Sequence, residues 1–328
     1  MRILLTGKNG QLGWELHRQL EQAHDVLALG RDDVDFRDSR FLFRRLRELP
    51  RLDLIVNAAA YTNVDKAEQE ASPPQCLHSQ DLRSQCSHSQ CFVAETVNSE
   101  AAALLAAEAD IRGIPLVHFS TDYVFGGQRR GKPYKENDPP NPVCYYGWTK
   151  REGEVRVRNI LEKHWIFRLS GLYGLRRRNF FMTMLACRQK GITPRVVNDQ
   201  IVSPNWTPWV AEAVAAVIRR LSLGEHCPWG TYHLSGTGQT TWYEFARLIF
   251  EKLNEFHGTK HRDRNVPLPV PVTTKEYGAI ARRPKYSVLD PRLFNTIFQY
   301  TLPDWREQFL HFLGGLQVSQ PQLPSPKT

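Results

Sequence analysis

At 328 residues, with 41% hydrophobic and 23% charged residues, the chain has an ordinary water-soluble composition and room for one large α/β domain plus a smaller lobe. No apolar run approaches the roughly 20 residues of a membrane span, and Met1–Gly7 is too short and too early to be a signal peptide, so no membrane association and a cytoplasmic location are expected. The net charge of +9 suits anionic partners; the arginines are scattered and no nucleic-acid module is present, so small anions are expected rather than nucleic acid.

The first strand is predicted at Ile3–Thr6 and the following helix at Leu12–Gln22. Between them stands Gly7-x-x-Gly10-x-x-Gly13, a spacing that lets backbone approach a pyrophosphate at a helix N-terminus. Flanked by an apolar strand and an amphipathic helix, it points to a dinucleotide site using Gly7, Gly10, Gln11, Leu12 and Gly13. Val26–Leu29 is the second strand. Behind it, Arg31 stands where an acidic residue would hold the ribose 2′-hydroxyl of NAD. An arginine there suits a 2′-phosphate and favours NADPH, whereas Asp32 and Asp33 leave NADH open; Asp35 completes the cofactor residues on this side.

Leu42–Leu49 reads as a helix and Leu54–Ala59 as a strand of the fully buried kind. The small residues Ala58, Ala59 and Ala60, with Thr62, allow a flat adenine or a nicotinamide ribose to lie at its carboxyl end. Residues 72–92 break the rhythm, being rich in Ser, Gln, Cys and His around Pro73-Pro74. Three thiols (Cys76, Cys86, Cys91) and two imidazoles (His78, His88) could bind zinc, but their spacing fits no common zinc module. No metal is assigned, and the segment is read as an inserted flexible loop.

Ala101–Ala109 is a helix and Pro115–Ser120 a strand. At the end of that strand, Thr121 offers a hydroxyl able to donate to a substrate carbonyl. The next helix runs to Ile160 and carries Tyr146 and Lys150 one turn apart on one face. A phenol with an ordinary pKa near 10 is a poor acid–base catalyst; the Lys150 cation, with an oxidised nicotinamide, is expected to lower it towards neutrality. The pattern reads as hydride transfer to a carbonyl carbon, with Tyr146 protonating the oxygen, Thr121 orienting it and Lys150 also reaching the nicotinamide ribose.

Strand Trp165–Leu169 completes the alternation, which predicts a Rossmann-like, doubly wound parallel sheet over residues 1–170. Residues 208–235 return to it through a helix at Val210–Leu221 and a strand at Gly230–Leu234. Residues 171–207 and 236–315, including a helix at Trp242–Leu253, form the smaller mixed α/β lobe. The Pro/Ser/Gln-rich residues 316–328 are expected to be a disordered tail. Cys144, Cys187 and Cys227 read as ordinary thiols.

These pieces resemble the extended short-chain dehydrogenase/reductase superfamily and, within it, the dTDP-4-dehydrorhamnose reductases. The resemblance is carried by Asn57–Thr62 with Val64–Glu68, by Ser120–Phe125, and by Asp199-Gln200 with Ser203-Pro204. Trp242–Ala246, Ala281–Pro284 with Tyr286-Ser287, and Leu302–Arg306 carry it further. It implies reduction of the 4-keto group of dTDP-4-dehydro-L-rhamnose by NADPH, with Thr121, Tyr146 and Lys150 catalytic. It also implies substrate contacts from Thr121, Asp122, Tyr123, Asn179 and one or both of Arg282 and Arg283. A homodimer follows by analogy, and Mg²⁺ is left open. The chain departs from the family at Gly171, where a tryptophan is usual, at Val202, where glycine is usual, and in the 72–92 insertion. A catalytically silent NADP-binding regulatory subunit and a reductase of another nucleotide-linked keto sugar are the other readings.

Overall fold

The computed structural model describes residues 1–71, 92–128, 131–225, 227–257 and 267–319; the 72–92 insertion, Phe92 apart, and the tail from residue 320 lie outside them. Six strands make the main sheet: β1 (Arg2–Thr6), β2 (Asp25–Leu29), β3 (Leu54–Asn57), β4 (Leu116–Thr121), β5 (His164–Leu169) and β6 (Gly230–His233). Every pairing in it is parallel, in the order β2-β1-β3-β4-β5-β6. The order reverses between β1 and β3, which opens a crevice at the carboxyl ends of those strands.

Helices α1 (Gln11–Leu20), α2 (Ser39–Arg47), α3 (Val64–Ala71), α4 (Ala101–Arg112) and α5 (Tyr145–Ile160) fall between or beside the first five strands. The pleat divides the strand side chains between two cores. Ile3 and Leu5 of β1 meet Leu12 and Leu16 of α1 and Val210 and Val214 of α7 (Thr207–Ser222). Leu4 points the other way, into a core shared with Leu42 of α2, Leu105 of α4 and Val157 of α5. Each such fully buried aliphatic side chain contributes about 1.5–3 kcal/mol.

A third core belongs to α6 (Phe180–Gln189), α8 (Trp242–His257) and α9 (Trp305–Ser319), where Phe181, Phe245, Phe250 and Phe309 pack together. Around it run three two-stranded pieces: Leu172–Tyr173 beside Asn205–Trp206, Arg195–Val197 beside Val270–Val272, and Ile201–Val202 antiparallel to Thr240–Thr241.

Two expected boundaries shift. The short helix Arg292–Phe298, placed by sequence in the smaller lobe, puts Phe294 and Phe298 into the main core with Trp165, Phe167 and Tyr232. Its two phenylalanines share one helix face at i and i+4, and that face is covered by the aromatic side chains of β5 and β6. The tail also starts later than residue 316, because α9 continues to Ser319. Among the described residues no helix is long and apolar enough to cross a membrane.

Candidate active site

β1 runs directly into the glycine turn. Gly7 has φ +77°, and a Cβ on it would stand 2.6 Å from the backbone of Ala58 and Ala59 after β3. At Gly13 a Cβ would lie 2.0 Å from the Gly7 carbonyl oxygen. Neither position accepts a side chain, so turn, helix and neighbouring strand end close onto one another at the sheet's switch point. Gly10 caps α1 without a side-chain bond, and the first turn holds no acidic residue. The free amide donors there suit an anion, so these residues fit a dinucleotide diphosphate. A buried chain of hydrogen bonds fixes the strand ends beneath: Thr6 Oγ1 donates to Asn57 Oδ1 at 2.8 Å, and the Asn57 amide meets His118 Nδ1 at 3.0 Å.

The remaining expected cofactor residues are placed less evenly. Arg31 is exposed just beyond β2. Asp33 accepts from the Gly30 amide at 2.7 Å and pairs with Lys8 at 2.8 Å. Asp35 is held by the Arg37 guanidinium, which keeps its carboxyl below the usual range. Leu12 is a core residue, buried under the sheet. Ala58 and Ala59 are half-buried at the turn, whereas Ala60 and Thr62 are exposed.

Thr121 ends β4, and Tyr146 and Lys150 face it from α5. Thr121 Oγ1 donates to Asp122 Oδ1 at 3.0 Å and accepts from the Tyr123 amide at 3.2 Å. Asp122 is buried, accepts from Ser170 Oγ at 2.9 Å, and is pushed up to about 6 by burial. The rings of Tyr123 and Tyr146 meet edge-on with centroids 5.8 Å apart. Lys150 is buried with Nζ donating to the Phe119 carbonyl at 2.6 Å, and burial brings its ammonium down to about 8.

The expected lowering of the Tyr146 pKa counted on Lys150 together with an oxidised nicotinamide; the protein's own groups on balance act the other way. Burial pushes that phenol well above its ordinary value; the Thr121 hydroxyl opposes this, and Asp122 adds to it. Lys150, with one of its ammonium donors on the Phe119 carbonyl, is not among the groups that shift it, and a phenol so raised stays protonated at neutral pH. A protonated phenol is the form that reduction needs.

Three supporting residues escaped the sequence reading. Glu154, one turn beyond Lys150, is fully buried and bidentate to Arg168 of β5 at 2.9 and 2.7 Å. Its carboxyl is held down to about 2 against the effect of burial, chiefly by Arg168. The repeat Tyr146, Lys150, Glu154, Arg158 at steps of four could have disclosed it. Asn98 sits in a π-helical turn, Thr96–Glu100, ahead of α4. Its side chain accepts from the Tyr61 amide at 2.9 Å and donates to Thr149 Oγ1 at 3.0 Å, tying the loop after β3 to α5. A π turn leaves no mark in hydrophobic periodicity.

On the expected sugar-nucleotide side, Arg282 is exposed, whereas Arg283 is half-buried with a nitrogen 2.7 Å from Asp65 Oδ2. Asn179 caps α6, its Oδ1 accepting from the Met182 amide at 3.1 Å, and its amide nitrogen donates to Gln11 Oε1 at 2.6 Å. It thereby joins the smaller core to α1. Gly171 has φ +51°, and a Cβ there would lie 3.1 Å from Pro204 Cα, so any larger residue in this turn would strain the backbone and press on its neighbours. Cys144, Cys187 and Cys227 are free thiols. Among the described residues no group of three His, Cys, Asp or Glu side chains is placed to hold a metal ion.

Comparison with known proteins gives a consistent result. A family profile described as the RmlD substrate binding domain matches residues 1–80 and 83–318. The chain is 36% identical over 310 residues to a dTDP-4-dehydrorhamnose reductase of Burkholderia thailandensis, covering 93% of this chain and 96% of that one. Its fold is similar to the crystal structure of a Clostridium acetobutylicum dTDP-4-dehydrorhamnose reductase, with TM-score 0.79 and 32% identity over 97% of this chain and all of that one. It is also similar to the Bacillus anthracis dTDP-4-dehydrorhamnose reductase solved in complex with NADP, with TM-score 0.77 and 32% identity over 96% and 99% of the two chains.

Proposed function

The chain belongs to the RmlD substrate-binding-domain family, and from that premise we propose that it reduces the 4-keto group of dTDP-4-dehydro-β-L-rhamnose with NADPH, giving dTDP-L-rhamnose. The observation that carries this is the meeting of Thr121, Tyr146 and Lys150 at the carboxyl end of β4, close to a glycine turn built for a dinucleotide.

In this reading the turn Gly7–Gly13 and the start of α1 hold the diphosphate, Arg31 meets the 2′-phosphate, and Ala58–Ala60 with Thr62 line the ribose side. Bound NADPH supplies the hydride. Tyr146, kept protonated by its surroundings, gives its proton to the carbonyl oxygen. Thr121 turns its hydroxyl hydrogen from Asp122 to that same oxygen and orients it. Lys150 moves its ammonium from the Phe119 carbonyl to the ribose hydroxyls. Asp122 and Tyr123 border the sugar, Asn179 braces that wall, and Arg283, spanning to Asp65, is the arginine nearer the substrate. A homodimer and a cytoplasmic location belong to the same reading.

The test is NADPH consumption by the purified protein, supplied with dTDP-4-dehydro-L-rhamnose generated in place from dTDP-glucose. Rapid consumption that Tyr146→Phe abolishes is the expected outcome. Tight NADPH binding without consumption would favour a silent regulatory subunit or a different nucleotide-linked keto sugar.

A further inference from the structure

The segment from Gly174 to Asn179 leaves the smaller core and comes back onto the glycine turn. It carries three successive arginines, Arg176, Arg177 and Arg178, all exposed. Arg177 has φ +58°, a left-handed backbone that disfavours any residue with a Cβ. Such a conformation persists only where the surroundings impose it, and it marks functional positions more often than chance. The imposing residue here is Asn179, whose amide nitrogen lies 2.8 Å from the Gly174 carbonyl oxygen and 2.6 Å from Gln11 Oε1.

The bend delivers a guanidinium to the turn. Arg177 Nε donates to the Asn9 carbonyl at 2.6 Å, inside the Gly7–Gly13 stretch, and its two terminal nitrogens have no partner among the described residues. Other cations nearby are already engaged: Lys8 pairs with Asp33, Arg18 with Glu15, and Arg176 lies over the Trp14 ring at 3.5 Å from its centroid. Two guanidinium nitrogens, free of partners among the described residues, therefore stand beside a helix N-terminus that no side chain caps.

The geometry points to Arg177 as a phosphate clamp: a guanidinium, anchored through Nε to the glycine turn, whose terminal nitrogens close over the diphosphate of the bound dinucleotide. This rests on the dinucleotide reading of the turn and adds a residue from the other lobe to it. A fork of parallel N–H donors matches phosphate oxygens better than a lysine does.

The experiment is fluorescence titration of NADPH and of NADH into the full chain, unaltered and with Arg177→Ala, Arg177→Gly, Arg177→Lys or Arg31→Ala. The Ala and Gly variants should weaken both cofactors by the same factor, roughly tenfold, with the loss shrinking in high salt and Lys restoring part of it. Arg31→Ala should weaken NADPH alone. Arg177→Gly should melt no lower than the unaltered protein, since glycine adopts the bend freely. Unchanged affinities for both cofactors would overturn the clamp, as would a loss confined to NADPH or a Gly variant that loses affinity and stability together. An unaltered protein that binds neither cofactor would overturn the dinucleotide reading itself.

Discussion

With its ammonium buried against the Phe119 carbonyl, Lys150 is charged at neutral pH only at a cost to the fold. A lysine in the unfolded chain titrates near 10.5, and this one near 8. Below pH 8 both states hold the proton and the folded state bears the full penalty. Between 8 and 10.5 the folded state has released a proton that the unfolded state keeps, so stability rises with pH across that window. Lys150→Met should therefore gain roughly 2–4 kcal/mol in urea unfolding at pH 7, shrinking towards pH 10, while turnover is lost. A lower unfolding midpoint at pH 7 would contradict this account. Tyr146→Phe removes the proton donor and should cost about 10²–10⁴-fold in turnover while leaving NADPH affinity unchanged in a titration. Tyr146, Lys150 and Gly7–Gly13 were legible in the sequence because their chemistry rests on local spacing. The tuning of their protonation was not, because it depends chiefly on the burial of both side chains, which only folding brings about.

One face of α5 carries the site and its anchor at steps of four residues. Beyond Tyr146 and Lys150, Glu154 fastens the helix to β5 through Arg168, whose guanidinium also stacks on Phe125 with its carbon 5.1 Å from the ring centroid. Breaking a buried pair leaves a charge with nothing to answer it, so Glu154→Gln should destabilise by about 3–5 kcal/mol in denaturant unfolding. Replacing Glu154 and Arg168 together with Met should cost much less, because the pair's attraction is largely offset by its desolvation. A double variant as unstable as the single one would show that the helix is held by other contacts. The elements of the sheet could be read from alternating apolar strands and periodic helices, and their ends moved by only a few residues. Helix α6 could not: its run Phe180–Gln189 is apolar nearly all round, and such a run has no amphipathic face to betray it. Its start is fixed by the Asn179 cap, the residue that also positions the arginine loop.

The two lobes are interleaved along the chain. β6 pairs with β5 in parallel from residues 230–233, after the chain has passed through α6 and four of the short strands of the smaller lobe. Trp165 and Phe167 of β5 are then covered by Phe294 and Phe298, at ring-centroid distances of 5.6–5.9 Å. Sequence periodicity could place β6 in the sheet, but it could not show that a helix some 120 residues beyond β5 completes the main core. A fragment ending at residue 170 should therefore be recovered only as aggregate, and the full chain as a discrete folded species; size-exclusion chromatography of the two makes the comparison, and a monomeric, cooperatively melting fragment would contradict it. On the ribosome the same layout means that β5 emerges with one edge unpaired and its aromatic face bare, and waits for most of the remaining chain to be synthesised. Most of the sheet that lines the cofactor site is thus translated well before the residues that complete it, and through that interval its open edge and bare aromatic face are exposed to misassociation.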